Sequence, residues 1–229
     1  MSHIPRLSFH VGGPDFHPVA DQARLIAQWL GGGFECSLHH DKEIFNHLEE
    51  CDLVVMMGLF YSSAEKYTPL TRQHEEAFTR YVASGRPLLL HHGAVASYDD
   101  SETFKRLVGI NWVWGGDRPT QHSPLGDYTV TVTRPEHPIL QDVSDYTLHD
   151  ELYYDLHAHA DIKPEVLAHA NYEGQQLPMV QCFSGGRVSG AGRAVYLANG
   201  HDLRAFECPA MRKLWLNAVR WLTKTSKQP

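Results

Sequence analysis

Hydrophobic residues along this chain fall into two alternating patterns. Short unbroken apolar runs are separated by stretches in which apolar positions recur every three or four residues. The first pattern reads as strands covered on both faces, the second as amphipathic helices lying against them. Arg6–Val11 is a short first strand. Pro18 begins a helix through Leu30, with Ala20, Ala23, Leu25, Ile26, Trp29 and Leu30 at helical spacing, and Gly31-Gly32-Gly33 stops it. Phe34–Leu38 is a second strand, Glu43–Glu49 a short helix and Asp52–Met57 a third strand of buried type. A long helix around Leu70–Ala83 ends at Ser84-Gly85, and the Leu88–Leu90 strand follows. Four strand–helix units with short loops predict right-handed crossovers and a doubly wound α/β sheet.

The second half changes character. Asp127–Thr133 alternates Tyr128, Val130 and Val132 against threonines, the mark of a half-exposed strand. Strand-like runs recur at Val166–Ala170, Met179–Phe183 and Ala194–Ala198, and Pro209–Leu222 reads as a closing helix. No linker-like shift in composition and no repeat interrupts the chain. We therefore expect a single domain over residues 1–222 with an elaborated second half and a polar tail, 223–229. At 229 residues and 42% hydrophobic, the chain can bury one substantial core.

Charge and cysteine usage narrow the function classes. A net charge of −7 gives a phosphate backbone no electrostatic support, so no nucleic-acid partner is expected. Cys36, Cys51, Cys182 and Cys208 lie far apart and form no CxxC. That argues against a zinc ribbon or a disulfide framework and suits a reducing compartment. No apolar leader opens the chain and no run of eighteen apolar residues occurs, so the expectation is a cytoplasmic protein with no membrane partner. Whether it acts alone or as a homo-oligomer stays open.

Histidine is the unusual residue: there are 16, scattered among the loops. Pro87-Leu88-Leu89-Leu90 ends abruptly on His91-His92-Gly93, at the place where open parallel sheets bind ligands. Ala194–Ala198 runs into Asn199-Gly200-His201-Asp202 and repeats that logic, while His17 follows the first strand. Between them lies His149-Asp150-Glu151-Leu152-Tyr153-Tyr154. Its paired carboxylates suit a general base or an orienter of a histidine, or else a helix N-terminus. His122, beyond Gly115-Gly116, is placed to close over a ligand. His157-Ala158-His159 has a spacing that metal sites use, although a solvated loop explains it more simply. His39-His40-Asp41 reads as a polar turn. Dinucleotide, P-loop and G-x-S-x-G signatures are absent, and no cysteine sits in an elbow motif.

Taken together, His17, Leu90-His91-His92-Gly93, Gly115-Gly116 with His122, His137-Pro138-Ile139, Asp150-Glu151-Leu152-Tyr153 and Gly200-His201 ahead of the Pro209 helix resemble the ThuA-like (trehalose utilisation) family. That family is part of the class I glutamine amidotransferase-like superfamily. The resemblance covers nearly the whole chain and implies a flavodoxin-like, mostly parallel sheet flanked by helices. It further implies a role in carbohydrate metabolism, in particular of disaccharides and their 3-keto derivatives. In the amidotransferase relatives a nucleophilic cysteine occupies the elbow after the fourth strand. Here His91-His92 stand in that region, and His201 falls where the relatives' catalytic histidine is expected. His92 replaces a residue that is commonly small, which narrows the pocket or adds a ligand.

The expected function is accordingly an enzyme acting on a sugar or keto-sugar by histidine–carboxylate acid–base chemistry, of isomerase, epimerase or lyase type. His91, Glu151 and His201 are the catalytic candidates; His17, His92, His122, Asp150 and Tyr153 are the substrate contacts. Several imidazoles and a carboxylate also suit a divalent metal such as zinc, nickel or manganese. Two alternatives remain: a non-catalytic sugar binder using Trp112, Trp114, Tyr153 and Tyr154, and an amide or ester hydrolase of amidotransferase ancestry. No thiol is expected to be essential.

Overall fold

The computed structural model describes residues 3–223. Nine strands form one sheet: β1 (Arg6–Val11), β2 (Glu35–His40), β3 (Leu53–Met56), β4 (Leu88–His91), β5 (Gly126–Val132), β6 (Tyr146–Asp150), β7 (Glu165–Tyr172), β8 (Gln175–Ser184) and β9 (Arg193–Leu197). Their order is β2-β1-β3-β4-β9-β8-β7-β5-β6. From β2 to β9 every pairing is parallel. From β9 to β6 the chain returns as an antiparallel extension. Among the described residues, four α-helices accompany the sheet: α1 (Val19–Leu30), α2 (Arg72–Ala83), α3 (Glu102–Val108) and α4 (Pro209–Thr223). This is the expected α/β, flavodoxin-like architecture with an elaborated second half.

The unbroken runs became the central strands, because burial on both faces demands apolar side chains at every position. Leu53–Met56 and Leu88–Leu90 are fully enclosed. Helix α2 starts at a capping box, in which the Thr71 hydroxyl accepts from the His74 N–H and the His74 ring accepts from the Thr71 N–H. On α4, Met211, Leu214, Trp215, Ala218, Val219 and Leu222 form the buried stripe. Core residues from β1 to α4 make one continuous cluster.

Three local expectations are corrected. The segment read as a helix over Glu43–Glu49 forms 3₁₀ turns over Asp41–Asn46 and Leu48–Glu50. It has only Ile44, Phe45 and Leu48 to bury, and two turns suffice. The Asp150-Glu151 pair does not open a helix but closes strand β6, whose alternation of buried and exposed residues is short. Thr223, assigned to the tail, is the last residue of α4; the remaining tail residues, 224–229, lie outside those described.

Asp150 ties the two halves together. Strand β6 is the far edge of the antiparallel extension, yet its last side chain reaches the loop after β9. Asp150 Oδ2 accepts from the Gly200 N–H at 2.8 Å and from Asn199 Nδ2 at 3.0 Å, and Oδ1 accepts from the His201 N–H at 2.9 Å. Tyr146, also on β6, donates to Asn199 Oδ1 at 3.2 Å. Asp150 is fully buried, so these bonds replace the water it loses.

One buried polar group in the parallel half gives stability a pH dependence. His10, on β1, is fully enclosed and bonds Tyr98 Oη at 3.0 Å, while that hydroxyl donates to Asp41 at 2.8 Å. Nε2 of His10 is therefore the N–H donor, and Nδ1 has no hydrogen-bond partner. Burial, helped by repulsion from His40, pushes this imidazole from its ordinary 6.5 down to about 3.

Two outcomes are expected. Between about pH 6.5 and 3 the unfolded chain holds a proton on His10 that the folded chain refuses. Its stabilising contribution is complete above that window and is lost as pH falls through it, with a slope of up to about 1.4 kcal/mol per pH unit. Urea denaturation at pH 7 and pH 5 should show a smaller difference in His10→Gln than in the parent; equal differences would contradict the assignment. Separately, Asp150→Asn places an amide NH₂ against backbone donors and should cost about 2 kcal/mol in the same assay. An unchanged midpoint would show that the tie carries no stability.

Candidate active site

The loops at the carboxyl ends of β1, β4 and β9 meet the end of β6, and each contributes to one cluster. His17 comes from the loop between β1 and α1, His92 from the turn after β4, His201 from the loop after β9 and Glu151 from the residue after β6. Glu151 Oε1 is the centre. It lies 3.1 Å from His201 Nδ1, 3.3 Å from His92 Nε2 and 4.0 Å from His17 Nε2. His17 Nε2 and His201 Nδ1 are 2.9 Å apart. The other carboxylate oxygen, Oε2, lies 3.0 Å from Nδ1 of the half-exposed His122.

Backbone geometry at two positions makes this convergence possible. His92 has a φ of +41°, an unfavourable value for a residue with a Cβ, which turns its ring out of the strand line. Its Nδ1 donates to Ala198 O at 2.7 Å, leaving the Nε2 lone pair aimed at Glu151. Gly200, at φ +127°, is the second position. A Cβ there would stand 2.1 Å from His91 Cε1, so only glycine lets the β9 loop pass over that ring.

A cavity of about 370 Å³ opens above the cluster. His17, Glu151, His122 and His201 border it, and its walls are Phe16, Leu59, Tyr61, Ala96, Trp112, Trp114 and Tyr153. Trp112 and Trp114 pack against each other at 5.4 Å, and Tyr61 meets Trp114 at 5.2 Å. Tyr153 stacks on His92 at 4.3 Å between ring centres and meets Trp112 edge-on at 4.9 Å.

Electrostatics separate the members. Burial opposes the Glu151 charge, but the hydrogen bond to His201 and the field of that ring outweigh it and hold the carboxyl well below its usual range. Burial likewise lowers His201, but the bonded Glu151 carboxylate, with Asp150 and Asp202, raises it overall. His17 is driven strongly downward by burial and by the neighbouring His92 and His201 rings. Burial and the Glu151 charge push the Tyr153 phenol well above its ordinary value, so it stays a hydroxyl.

Of the expected site residues, His17, His92, His122, Glu151, Tyr153 and His201 come together. His91 does not, and its expected acid–base role is corrected. It is the last residue of β4 and points beneath the loop: Nε2 donates to Gln22 Oε1 at 3.2 Å, and the ring packs on Trp215 at 5.2 Å. Gln22 Nε2 in turn donates to Gly200 O at 2.9 Å. Fully enclosed, with Nδ1 unpartnered and its pKa pushed far down by burial, His91 supports the β9 loop from below. Asp150 is also corrected from substrate contact to backbone anchor, since all its oxygens face the loop. His157 and His159 stand outside the cluster, His157 on Arg118 O. Sequence reading missed Gln22, Phe16, Leu59 and Tyr61. Gln22 alone carried a signal, as a polar residue among the apolar positions of α1.

No cysteine lines the cavity. All four are free, and burial pushes Cys36, Cys51 and Cys182 up to about 11, so a thiolate nucleophile is disfavoured.

Comparison with known proteins agrees with the fold. The structure is similar to a ThuA-like protein from Parabacteroides merdae, with a TM-score of 0.76 and 17% identity over 97% of this chain and 91% of that one. A ThuA-like protein from Bacteroides uniformis gives 0.73 and 20% over 99% and 95%. A glutamine amidotransferase from Thermotoga maritima shares the fold at 0.54 and 11%, over 98% and 100%. No curated protein matches the sequence. The sequence profile described as ThuA, trehalose utilisation, matches residues 12–222, and the chain therefore belongs to the ThuA family.

Proposed function

We propose that this protein is a carbohydrate-metabolism enzyme that enolises a sugar or a 3-keto-sugar derived from a disaccharide. The observation that carries the reading is one cavity with indole walls, bordered by the Glu151 carboxylate and by the imidazoles of His17, His122 and His201. Aromatic faces suit the C–H face of a pyranose, and convergent titratable groups suit proton transfer. A wall of aromatics alone would have suited simple binding, but the buried cluster is costly to build for that purpose.

The chemistry follows from position. A carbonyl oxygen directed at His17 and His201 places the adjacent carbon near Glu151 Oε2 and His122. The C–H bond breaks as its proton passes to that pair, its electrons form the C=C bond, and the carbonyl pair moves onto oxygen, which takes a proton from an imidazole. Reprotonation on the opposite face gives epimerisation and on the neighbouring carbon isomerisation. Loss of a substituent one carbon further gives elimination. Tyr153 stays protonated and serves as a hydrogen-bond donor. Four free thiols suit a cytoplasmic setting, and no described helix is long and apolar enough to cross a membrane.

The test is proton exchange in D₂O, followed by NMR, on 3-keto-glucosides and 3-keto-disaccharides. Expected is deuterium at the carbon beside the carbonyl, slowed about 10²- to 10⁴-fold in Glu151→Gln. Trp112→Ala should mainly raise KM, and His91→Asn should lose activity only in step with its folded fraction. Absence of exchange on all these sugars, or full exchange in folded Glu151→Gln, would overturn the reading.

A further inference from the structure

The cluster beneath the cavity, His17, His92, Glu151 and His201, also has the donor set and the spacing of a metal centre. We propose that His17 Nε2, His92 Nε2, His201 Nδ1 and one Glu151 oxygen bind a single divalent transition-metal ion. One donor atom from each residue lies within 4.8 Å of all the others. The closest pairs are separated by 2.9, 3.1 and 3.3 Å, and His17 stands 4.0 Å from Glu151. An ion about 2.0–2.2 Å from each donor holds them about 3–4 Å apart. The four side chains therefore already stand close to a ligating arrangement.

The state of His92 argues independently for a cation. Its Nδ1 is committed as a donor to Ala198 O, so Nε2 presents a lone pair. That atom is buried, has no hydrogen-bond partner, and faces a carboxylate oxygen at 3.3 Å. A lone pair and an anion directed at each other in a dry site call for positive charge between them. The Nδ1–carbonyl bond is also the arrangement by which metal-ligating histidines are fixed in tautomer and aim. His201 is held by its own backbone N–H on Asp150. Glu151 is steadied by His122 on its second oxygen.

Three imidazoles and one carboxylate, without a thiolate, suit zinc, manganese or nickel rather than calcium or magnesium, which prefer all-oxygen shells. Two other groups of donors offer weaker cases. His39, Glu43 and His47 lie at a partly exposed edge, where His39 Nε2 is already bonded to the Ser37 hydroxyl. His137, Glu165 and Cys182 include an imidazole that accepts from the Ile139 N–H.

The assignment deepens the enzyme reading but does not need it for binding. With the ion seated, its remaining positions face the cavity and suit a sugar carbonyl or hydroxyl, and His122 is left to carry the proton.

The test uses the purified protein stripped with chelator and titrated with Co(II), Mn(II) and Zn(II) by calorimetry and absorption. Expected are one equivalent bound, visible Co(II) bands and a raised Tm. Affinity should fall at least about 100-fold in Glu151→Gln and in His201→Ala, while His39→Ala binds like the parent. Circular dichroism confirms that each variant is folded, and two ligands are varied so that one failed fold leaves the other. Absence of one-to-one binding by the folded parent, or parent-like affinity in both variants, overturns the metal centre. Stoichiometric binding lost in both variants supports it, even if no keto-sugar exchanges. Full exchange by stripped protein that takes up no ion overturns it and leaves the enzyme reading intact.

Discussion

The grip of one buried carboxylate on two backbone N–H groups holds the histidine–carboxylate cluster in place. Asp150 ends the edge strand of the antiparallel extension, and Gly200 and His201 leave the last parallel strand. Strands β6 and β9 are not neighbours in the sheet, with β8, β7 and β5 between them, and this grip joins their ends. With it, the residue after Asp150 and the residue after Gly200 come within 3.1 Å of each other. Gln22 and His91 brace the same loop from below. The two supports leave the loop little freedom, which is what a preorganised cluster of closely packed imidazoles requires.

The cluster then follows from conflicting demands met by position. Imidazoles packed at 4.6–4.9 Å between ring centres repel one another once protonated. Burial and mutual repulsion keep His17 neutral, whereas direct contact with Glu151 lets His201 hold a proton. Burial and contact with the carboxylate thus put two chemically equal side chains in different states. The strained backbone of His92 is the local cost of bringing the third ring to the same oxygen.

How far this was legible in the sequence depended on what kind of force fixes each part. Strands β3, β4 and β9 were readable because burial on both faces writes an apolar run. Strand β6 was not, since five residues alternating in burial merge into the charged run that follows. His17 and His201 were readable from their places at strand ends, and Glu151 from its place in a pair of carboxylates beside two tyrosines. The choice between His91 and His92 was not, because one step along the chain reverses the side-chain direction and a positive φ leaves no trace in residue types. Phe16 and Tyr61 reach the cavity from loops without periodicity, so tertiary folding alone reveals them.

The central claim is that His17, His92, His201 and Glu151 form one coupled unit from which His91 is separate. Imidazole ¹⁵N NMR of the protein with labelled histidines tests it most directly, by comparing the parent with Glu151→Gln. Expected is His92 as the Nδ1–H tautomer and His91 as the Nε2–H tautomer. The substitution should shift the resonances of His17, His92 and His201 while leaving those of His10 and His91 in place. A His91 resonance that moves with the substitution while His92 stays fixed would contradict the claim.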